Sequence, residues 1–314
     1  MFSVIIPLYN KQQWIAACLD SVLNQRFQSF EVIIVDDGST DKSLEVLEPF
    51  RTDPRIRIIQ QKNQGVSAAR NTGISHARYD YIAFLDADDL WHPQYLECNA
   101  QVISEHPQAV IYASRYINKE SETKAVWEHV QTPHSEKIEH YFESAHIDLI
   151  FWTSATVVQK KVLANVGLFD TSLKAGEDLD LWFRLIMDGE GIRINHVLAF
   201  YRLTEISRHN PFKLPPIEYH IVSRMLDDNW YMLSRFDKVP HLHSFVYTFT
   251  LNYLFPYYFT TSQFREAYTI YRKIPLTYRF RKVRHWLYLL PRAWGSKLFR
   301  YFFFKRNRNI VITD

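Results

Sequence analysis

The first 90 residues alternate short apolar runs with segments whose apolar residues recur at helical spacing. The runs predict buried strands at residues 2–8, 30–35, 56–60 and 81–85. The intervening segments predict three helices, the first capped by Asn10 with apolar positions from Trp14 to Leu23, the second over 41–50 and the third over 66–76. Strands that alternate with helices in this way are typical of a doubly wound, mainly parallel α/β sheet. Ligands of such sheets bind beyond the carboxyl ends of the strands.

The pattern becomes less regular after residue 90. It predicts a helix from Pro93 to about Glu105, strands at 109–116 and 153–158, and a helix that begins at Glu177. Beyond Pro215 and Pro216 the chain is helical in pattern and rich in aromatic residues. We therefore predict an α/β domain over residues 1–214 and a helical C-terminal region over residues 215–314.

Charge divides the chain into two opposite parts. The 314 residues contain 37 Lys+Arg and 34 Asp+Glu, a net charge of only +3. Residues 264–314, however, hold 13 basic, 2 acidic and 13 aromatic side chains, whereas residues 1–263 carry a net −8. Basic residues interleaved with aromatic ones suit a helix that lies on an anionic membrane surface. The same composition also suits a homo-oligomer interface or nucleic acid, but nothing in residues 1–205 favours nucleic acid.

Several classes of protein are excluded or disfavoured. Two cysteines, Cys18 and Cys98, are too few for a disulfide scaffold or a four-thiolate zinc site. The sequence contains no Walker motif and no G-x-S-x-G motif, and the turn after the first strand has no glycine-rich phosphate loop. No signal peptide and no clean stretch of about 20 apolar residues occurs. We expect a cytoplasmic protein that lies on the inner face of the cytoplasmic membrane without crossing it.

Carboxylates follow two of the predicted strands. Asp36 and Asp37 come after the second strand, and Asp86, Asp88 and Asp89 come after the fourth. In a doubly wound sheet both groups lie at the same edge, where carboxylates can hold a hard divalent cation or bond a base or ribose. The alternative is structural, because Asp-Asp-Gly-Ser is also a turn signature and Asp89 is placed to cap the helix at Pro93. Two clusters at one edge favour a functional site.

Two further groups are candidates for chemistry. Glu177 and Asp178 open a strongly aromatic helix, where a carboxylate serves either as a general base or as a partner of the helix dipole. Arg70 lies early in the helix that follows Gly65, within reach of a phosphate or nucleoside at the helix N-terminus, although an arginine here is also an ordinary surface residue.

Taken as a linked set, these residues resemble a known family. The set comprises VIIPLYN at 4–10, SVLNQ at 21–25, EVIIVDDGST at 31–40, NQGVSAARNTG at 63–73, YIAFLDADD at 81–89, and GED at 176–178 with Trp182. Their order and spacing resemble the inverting family 2 glycosyltransferases of the GT-A fold that build bacterial surface polysaccharides. The resemblance covers about residues 1–205 and implies a GT-A-type mixed, mainly parallel sheet, here with a basic, aromatic-rich helical extension.

The resemblance also implies roles on the donor side. The backbone of Pro7 and the ring of Tyr9 would hold the nucleobase, usually uracil. Asp37 would bond its imide edge, with Asp36 nearby, and Arg70 would contact the nucleoside or the phosphate. Asp86, Ala87 and Asp88 match the D-x-D motif of the family. Asp88 would ligate Mg²⁺ or Mn²⁺, and Asp86 would face the ribose or a metal-bound water.

On the acceptor side, Asp178 matches the catalytic base of the family, beside Glu177, and Trp182 would line the acceptor. Arg202 and His209 match loosely a stretch that closes over the pyrophosphate.

The implied function is transfer of a sugar from a nucleotide diphosphate donor, most closely a UDP-hexose, to a hydroxyl of a glycan or lipid-linked acceptor. Capsule or lipopolysaccharide synthesis would be the setting. The alternative is an inactive transferase-like module that binds within a polysaccharide assembly complex. The presence of Asp37, Asp88 and Asp178 together argues against that alternative.

Overall fold

The computed structural model describes residues 1–119, 130–139, 141, 150–202, 219–225, 242–250 and 263–274. The strands in these residues are β1 Phe2–Leu8, β2 Phe30–Asp36, β3 Ile56–Gln60, β4 Tyr81–Phe84, β5 Leu90–Trp91, β6 Ile111–Lys119, β7 Ser135–Lys137, β8 Thr156–Gln159 and β9 Gly191–Arg202. The α-helices are α1 Ile15–Leu23, α2 Ser43–Leu47, α3 Val66–His76, α4 Tyr95–Glu105, α5 Leu163–Val166, α6 Glu177–Asp188, α7 Ile221–Met225, α8 Leu242–Phe249 and α9 Phe264–Lys273. Short 3₁₀ turns cover Glu48–Thr52, Thr153–Ala155 and Lys160–Val162.

All nine strands of the described residues belong to one sheet, ordered β3-β2-β1-β4-β8-β6-β9-β5, with β7 paired to β9. The first four strands are parallel, and Leu8 of β1 lies beside Asp36 of β2. The carboxyl ends of β1, β2 and β4 therefore meet at one edge, which we call the carboxyl edge. The α/β sheet predicted from the first 90 residues is confirmed.

The apolar strands are buried on both faces. Val4 and Ile6 of β1 contact one hydrophobic cluster, which includes Leu19 of α1, while Ile5 between them contacts the other. This alternation follows from the two-residue period of a strand. Helix α3 lies so close to β1 that a Cβ on Gly73 would stand 2.4 Å from Cγ2 of Ile5, so only glycine fits there.

The second half of the sheet is mixed. Strand β8 is antiparallel to both β4 and β6, whereas β6 and β9 run parallel. The twelve-residue strand β9 is not evident from the sequence pattern. Its pairing with β6 shifts register between Ser114 and Tyr116 of β6. An irregular register of this kind breaks the strict apolar alternation by which a strand is recognised.

The described helices beyond residue 215 pack on the same core as α6. Ile221, Phe245 and Ile270 are fully buried in the cluster that contains Phe183, and the rings of Phe183 and Phe245 meet edge to face at 5.4 Å. The helical pattern predicted here is present in α7, α8 and α9, and the boundary near residue 215 stays a prediction. Over the residues that the structure describes, no helix is long and apolar enough to cross a membrane.

Candidate active site

The loop before α3 is built around Asp37. Its buried carboxylate accepts hydrogen bonds from the backbone N–H groups of Gln64 (2.9 Å) and Gly65 (2.8 Å) and from the side chain of Gln61 (2.8 Å). Gly65 adopts φ +93° there, a conformation that favours glycine. Since a carboxylate has roughly four acceptor positions, Asp37 shapes this loop and keeps little capacity for a ligand. This structural role of Asp37 is not evident from the sequence.

The loop after β1 lies next to it. Tyr9 is 46% exposed at the carboxyl edge, and Pro7 pairs with Val35 in the sheet. Asp36 is buried and accepts a hydrogen bond from the backbone of Ser39 at 3.2 Å. The nucleobase contacts expected of Pro7, Tyr9 and Asp36 stay predictions.

Asn10 does not cap α1, contrary to the prediction. The helix begins at Ile15 without a side-chain cap, and Asn10 has φ +52°. Its Oδ1 instead accepts hydrogen bonds from the backbone N–H groups of Thr40 (2.8 Å) and Asp41 (3.3 Å). The loops after β1 and β2 are thereby joined.

Arg70 is the centre of the site. Only 4% exposed, it donates from Nη2 to Asp86 Oδ1 (2.8 Å) and from Nη1 to Glu177 Oε1 (3.0 Å), and its guanidinium lies 5.2 Å above the Phe169 ring. Burial alone would lower the pKa of Arg70, but the charges of Asp86 and Glu177 outweigh it and raise the pKa. Arg70 therefore links the loop after β4 to the N-terminus of α6. The sequence predicts a position for Arg70 near the donor but gives no sign of its contact with Glu177.

Each carboxylate of the loop after β4 has its own partner. Asp86 pairs with Arg70, Asp88 forms an ion pair with Lys11, and Asp89 accepts hydrogen bonds from the hydroxyl of Ser154 and the backbone of Arg202. Burial, and then the nearby charges of Asp86 and Asp88, raise the pKa of Asp89 well above its ordinary value.

The structural alternative for Asp89, a cap on the following helix, is not formed. Helix α4 begins at Tyr95 behind Gln94, without a side-chain cap. Asp89 instead connects the loop after β4 to the 3₁₀ turn before β8 through Ser154, and to the end of β9 through Arg202. Ala87, between the two aspartates of the D-x-D motif, is buried.

A divalent metal fits this loop at Asp88. Within the described residues, no three His, Cys, Asp or Glu side chains gather into a metal cage. Asp88 is still 16% exposed, and its partner Lys11 is a flexible side chain that is 36% exposed. Mg²⁺ is often held by one or two carboxylates together with phosphate oxygens and waters. The residues therefore suit a metal that Asp88 shares with a nucleotide diphosphate.

The acceptor-side carboxylate opens α6. Gly176 precedes the helix in the left-handed conformation (φ +74°), and Asp178 accepts hydrogen bonds from the backbone of Leu179 (2.8 Å) and from the hydroxyl of Thr153 (3.2 Å). Burial, and then the charge of Glu177, raise the pKa of Asp178 to about 6. A carboxylate whose pKa lies close to neutrality suits general base catalysis.

Trp182 does not line an open surface. The side chain is fully buried, and its ring lies 5.9 Å from each of the rings of Phe84 and Phe169. It follows Asp178 by one helical turn, so it points from the same face of α6 but deeper, into the core beneath the site. The acceptor-side role predicted for Trp182 is replaced by a supporting one.

Arg202 supports the D-x-D loop. It is 4% exposed, donates from Nε to the Asp88 carbonyl at 2.9 Å, and lies 4.5 Å above the Trp14 ring. It packs beneath the loop, and the pyrophosphate contact predicted for it stays a prediction. His209 lies outside the described residues.

Comparison with known proteins decides the family. The model described as glycosyl transferase family 2 matches residues 3–169. The chain belongs to glycosyl transferase family 2. This membership confirms the predicted family and the enzyme class, a glycosyltransferase.

The curated relatives carry glycosyltransferase names. The chain is 35% identical over 188 residues to an uncharacterized glycosyltransferase of Rickettsia felis, across 58% of this chain and 30% of the relative. It is 30% identical over 236 residues to the uncharacterized glycosyltransferase EpsJ of Bacillus subtilis, across 70% of this chain and 66% of EpsJ. A chondroitin synthase of Escherichia coli is 40% identical over 123 residues, across 38% of this chain and 18% of the synthase. The chain thus spans about a third of the length of the first of these relatives.

Among solved structures, the chain resembles Staphylococcus aureus TarS (residues 1–349, in complex with UDP-GlcNAc). The TM-score is 0.70 at 18% identity, over 88% of this chain and 82% of TarS 1–349. This likeness confirms the predicted GT-A fold.

Proposed function

We propose that this family 2 glycosyltransferase moves a sugar from a nucleotide diphosphate, a UDP-hexose, to a hydroxyl of a glycan or lipid-linked acceptor, with inversion at the anomeric carbon. The observation that carries the proposal is the Asp86–Arg70–Glu177 link, which brings the D-x-D motif and Asp178 together in one site. The anomeric carbon of the donor and the hydroxyl of the acceptor need to be held within reacting distance of each other. The TarS structures with UDP-GlcNAc and with UDP support this donor class.

On the donor side, Tyr9 offers an exposed ring on which the nucleobase would stack. Asp37 would hold the imide edge with its remaining acceptor position, while its other contacts keep the loop before α3 in place. Asp88 would hold Mg²⁺ or Mn²⁺, which when bound neutralises the charge that develops on the departing diphosphate. Arg70 would keep Asp86 oriented toward the ribose.

On the acceptor side, Asp178 would take the proton of the attacking hydroxyl. Thr153 and the backbone of Leu179 orient its carboxylate. The hydroxyl attacks the anomeric carbon from the face opposite the leaving group, so one displacement inverts the configuration. The neighbouring Glu177 would not serve as the base, because its carboxylate is paired with Arg70.

The setting we propose is cell-surface polysaccharide synthesis at the inner face of the cytoplasmic membrane. The chondroitin synthase among the relatives supports polysaccharide synthesis. Residues 1–214 would form the nucleotide-sugar domain. Residues 215–314 would serve acceptor or membrane association, since residues 264–314 carry a net +11. A homo-oligomer through the same region is the competing arrangement.

The test is a screen of nucleotide sugars for hydrolysis or transfer dependent on Mn²⁺, alongside the effect of UDP on the melting temperature. An active transferase releases UDP from one donor, and UDP stabilises it most strongly with Mn²⁺ present. UDP binding without turnover of any donor, across lipid-linked and glycan acceptors, would favour the inactive binding module. No response to any nucleotide would contradict the donor site itself.

A further inference from the structure

Lys11 holds a position on the D-x-D loop that the pattern of the sequence did not reveal. It lies in the loop after β1, and its ammonium forms an ion pair with Oδ2 of Asp88, the carboxylate at which a metal fits. The two residues are 77 positions apart in the chain. A protein cation therefore stands where the divalent cation of the proposed reaction would bind.

The backbone of Lys11 is held in place from two sides. Its N–H donates to the hydroxyl of Ser43 at 3.0 Å, and its carbonyl accepts from the backbone of Trp14 (2.9 Å) and Ile15 (3.0 Å). The preceding Asn10 is tied to the loop after β2. The side chain thus extends from a fixed base, unlike a lysine on a freely moving surface loop.

The three aspartates of the loop differ in how readily a ligand could replace their partners. Asp86 pairs with Arg70, which is 4% exposed, and Asp89 is fully buried. Lys11 is 36% exposed and carries its charge on four rotatable carbons. In the part of the chain that the structure describes, Asp88–Lys11 is the pair of this loop that can open without disturbing the core.

We propose that Lys11 is a donor-binding residue that occupies the cation position on Asp88 in the empty site and turns to the diphosphate of the donor when the metal binds. The inference rests on the proposed donor and metal. A divalent cation at the same carboxylate repels the ammonium over a few Å. The nearest acceptors for the displaced ammonium are the phosphate oxygens that the metal itself brings to the loop.

This role predicts opposite changes in two affinities. Lys11→Met removes a competitor of the metal, so Mn²⁺ alone should bind about three- to tenfold more tightly. This factor corresponds to the loss of a partly exposed ion pair together with the loss of the repulsion between the ammonium and Mn²⁺. The same variant loses a charged contact to the diphosphate, so UDP at saturating Mn²⁺ should bind about tenfold more weakly. A purely structural role would weaken both.

The measurements are Mn²⁺ binding, followed by the EPR signal of the free ion, and UDP binding by calorimetry, on the full chain. Lys42→Met is the matched control, because Lys42 is 73% exposed and its nearest acid is Glu45 at 3.8 Å, away from Asp88. It removes the same charge nearby and should change neither affinity. Lys11→Gln repeats the test with a polar side chain, and melting curves show whether each variant is folded.

The outcomes separate this proposal from the proposed function. If wild type binds UDP in a Mn²⁺-dependent manner but Lys11→Met and Lys11→Gln leave Mn²⁺ affinity unchanged or lower it, the role of Lys11 is wrong and the metal site stands. A rise in Mn²⁺ affinity with unchanged UDP affinity would remove the diphosphate contact from the proposal. If UDP does not bind wild type with or without Mn²⁺, the proposed donor site fails and the proposal fails with it.

Discussion

Replacing Asp178 by Asn tests the base and its environment in one experiment. The amide keeps the shape of the side chain and can still accept a hydrogen bond from Leu179 or Thr153, but it cannot take a proton. A general base typically contributes about 10²–10⁴-fold, so we expect transfer to fall by that factor while the affinity for UDP stays within about twofold.

The pH dependence of the wild-type enzyme provides a second test of the base. Since the pKa of Asp178 is about 6, kcat/KM should fall about tenfold per unit as the pH drops below 6.

The same substitution should stabilise the fold at neutral pH. The pKa of Asp178 is raised from 3.8 to about 6, so the folded state holds this proton more tightly than the unfolded chain does. Wild type therefore loses stability as the pH rises from about 4 to about 6. Two pKa units correspond to about 3 kcal/mol. Because the carboxylate is only half-buried, water screens part of this, and we expect a gain of about 2 kcal/mol for Asp178→Asn above pH 6.

Urea unfolding at pH 7.5 and at pH 4 measures the effect, with donor turnover and UDP binding measured on the same preparations. Asp188→Asn is the matched control, because Asp188 ends the same helix and is exposed. That variant should keep its activity and show no comparable gain.

Two results would refute the reasoning. Equal losses of UDP affinity and of turnover in Asp178→Asn would make Asp178 part of the donor site or a helix-stabilising group. An Asp178→Asn variant that is less stable than wild type at pH 7.5 would show that the carboxylate is not held in an unfavourable environment. Asp178 would then have no raised pKa that suits it as a base near neutral pH.

The remaining predictions concern the metal, the start of α6 and the tail. Asp88→Ala should abolish turnover and weaken UDP binding only when Mn²⁺ is present; wild-type turnover in Mn²⁺ would refute the metal role. Gly176→Ala should lower the free energy of unfolding by about 2–4 kcal/mol, because the new Cβ would stand 2.4 Å from Cγ2 of Ile221 at φ +74°. A loss of about 1 kcal/mol or less in Gly176→Ala would exclude the clash. Gly65→Ala, at φ +93° and ψ 163° with no atom within 4 Å, should lose about 1–3 kcal/mol through backbone strain alone. Full-length protein should sediment with anionic liposomes and be released as salt rises, and changing the three basic residues in 281–284 to Gln should weaken binding. Indifference to such liposomes at low salt, with a stable dimer instead, would assign the tail to an oligomer interface.

The period of the apolar residues was enough to predict the first half of the sheet. Strand β3 and helix α3 have the predicted bounds, and the acids after β2 and β4 lie at one edge as expected. Local patterns determine these elements because a strand buried on both faces reads as a continuous apolar run. The sequence predicts a strand at 153–158, but its antiparallel position between β4 and β6, and the pairing of β9, could not be predicted, because register and neighbours are set by contacts distant in sequence.

At the site, the sequence by itself determined only which residues are candidates for the chemistry: the D-x-D aspartates, Asp178 and the arginine of α3. Tertiary structure alone decided how they are partnered. Residue types and local spacing cannot specify that Arg70 contacts Glu177, which lies 107 positions further along the chain, or that Lys11 reaches Asp88. Nor does helical spacing reveal whether Trp182 faces a cleft or the core, since both lie on the same side of α6. Ion pairs and burial depend on which loops the sheet order brings to the carboxyl edge, and that order is a property of the folded chain.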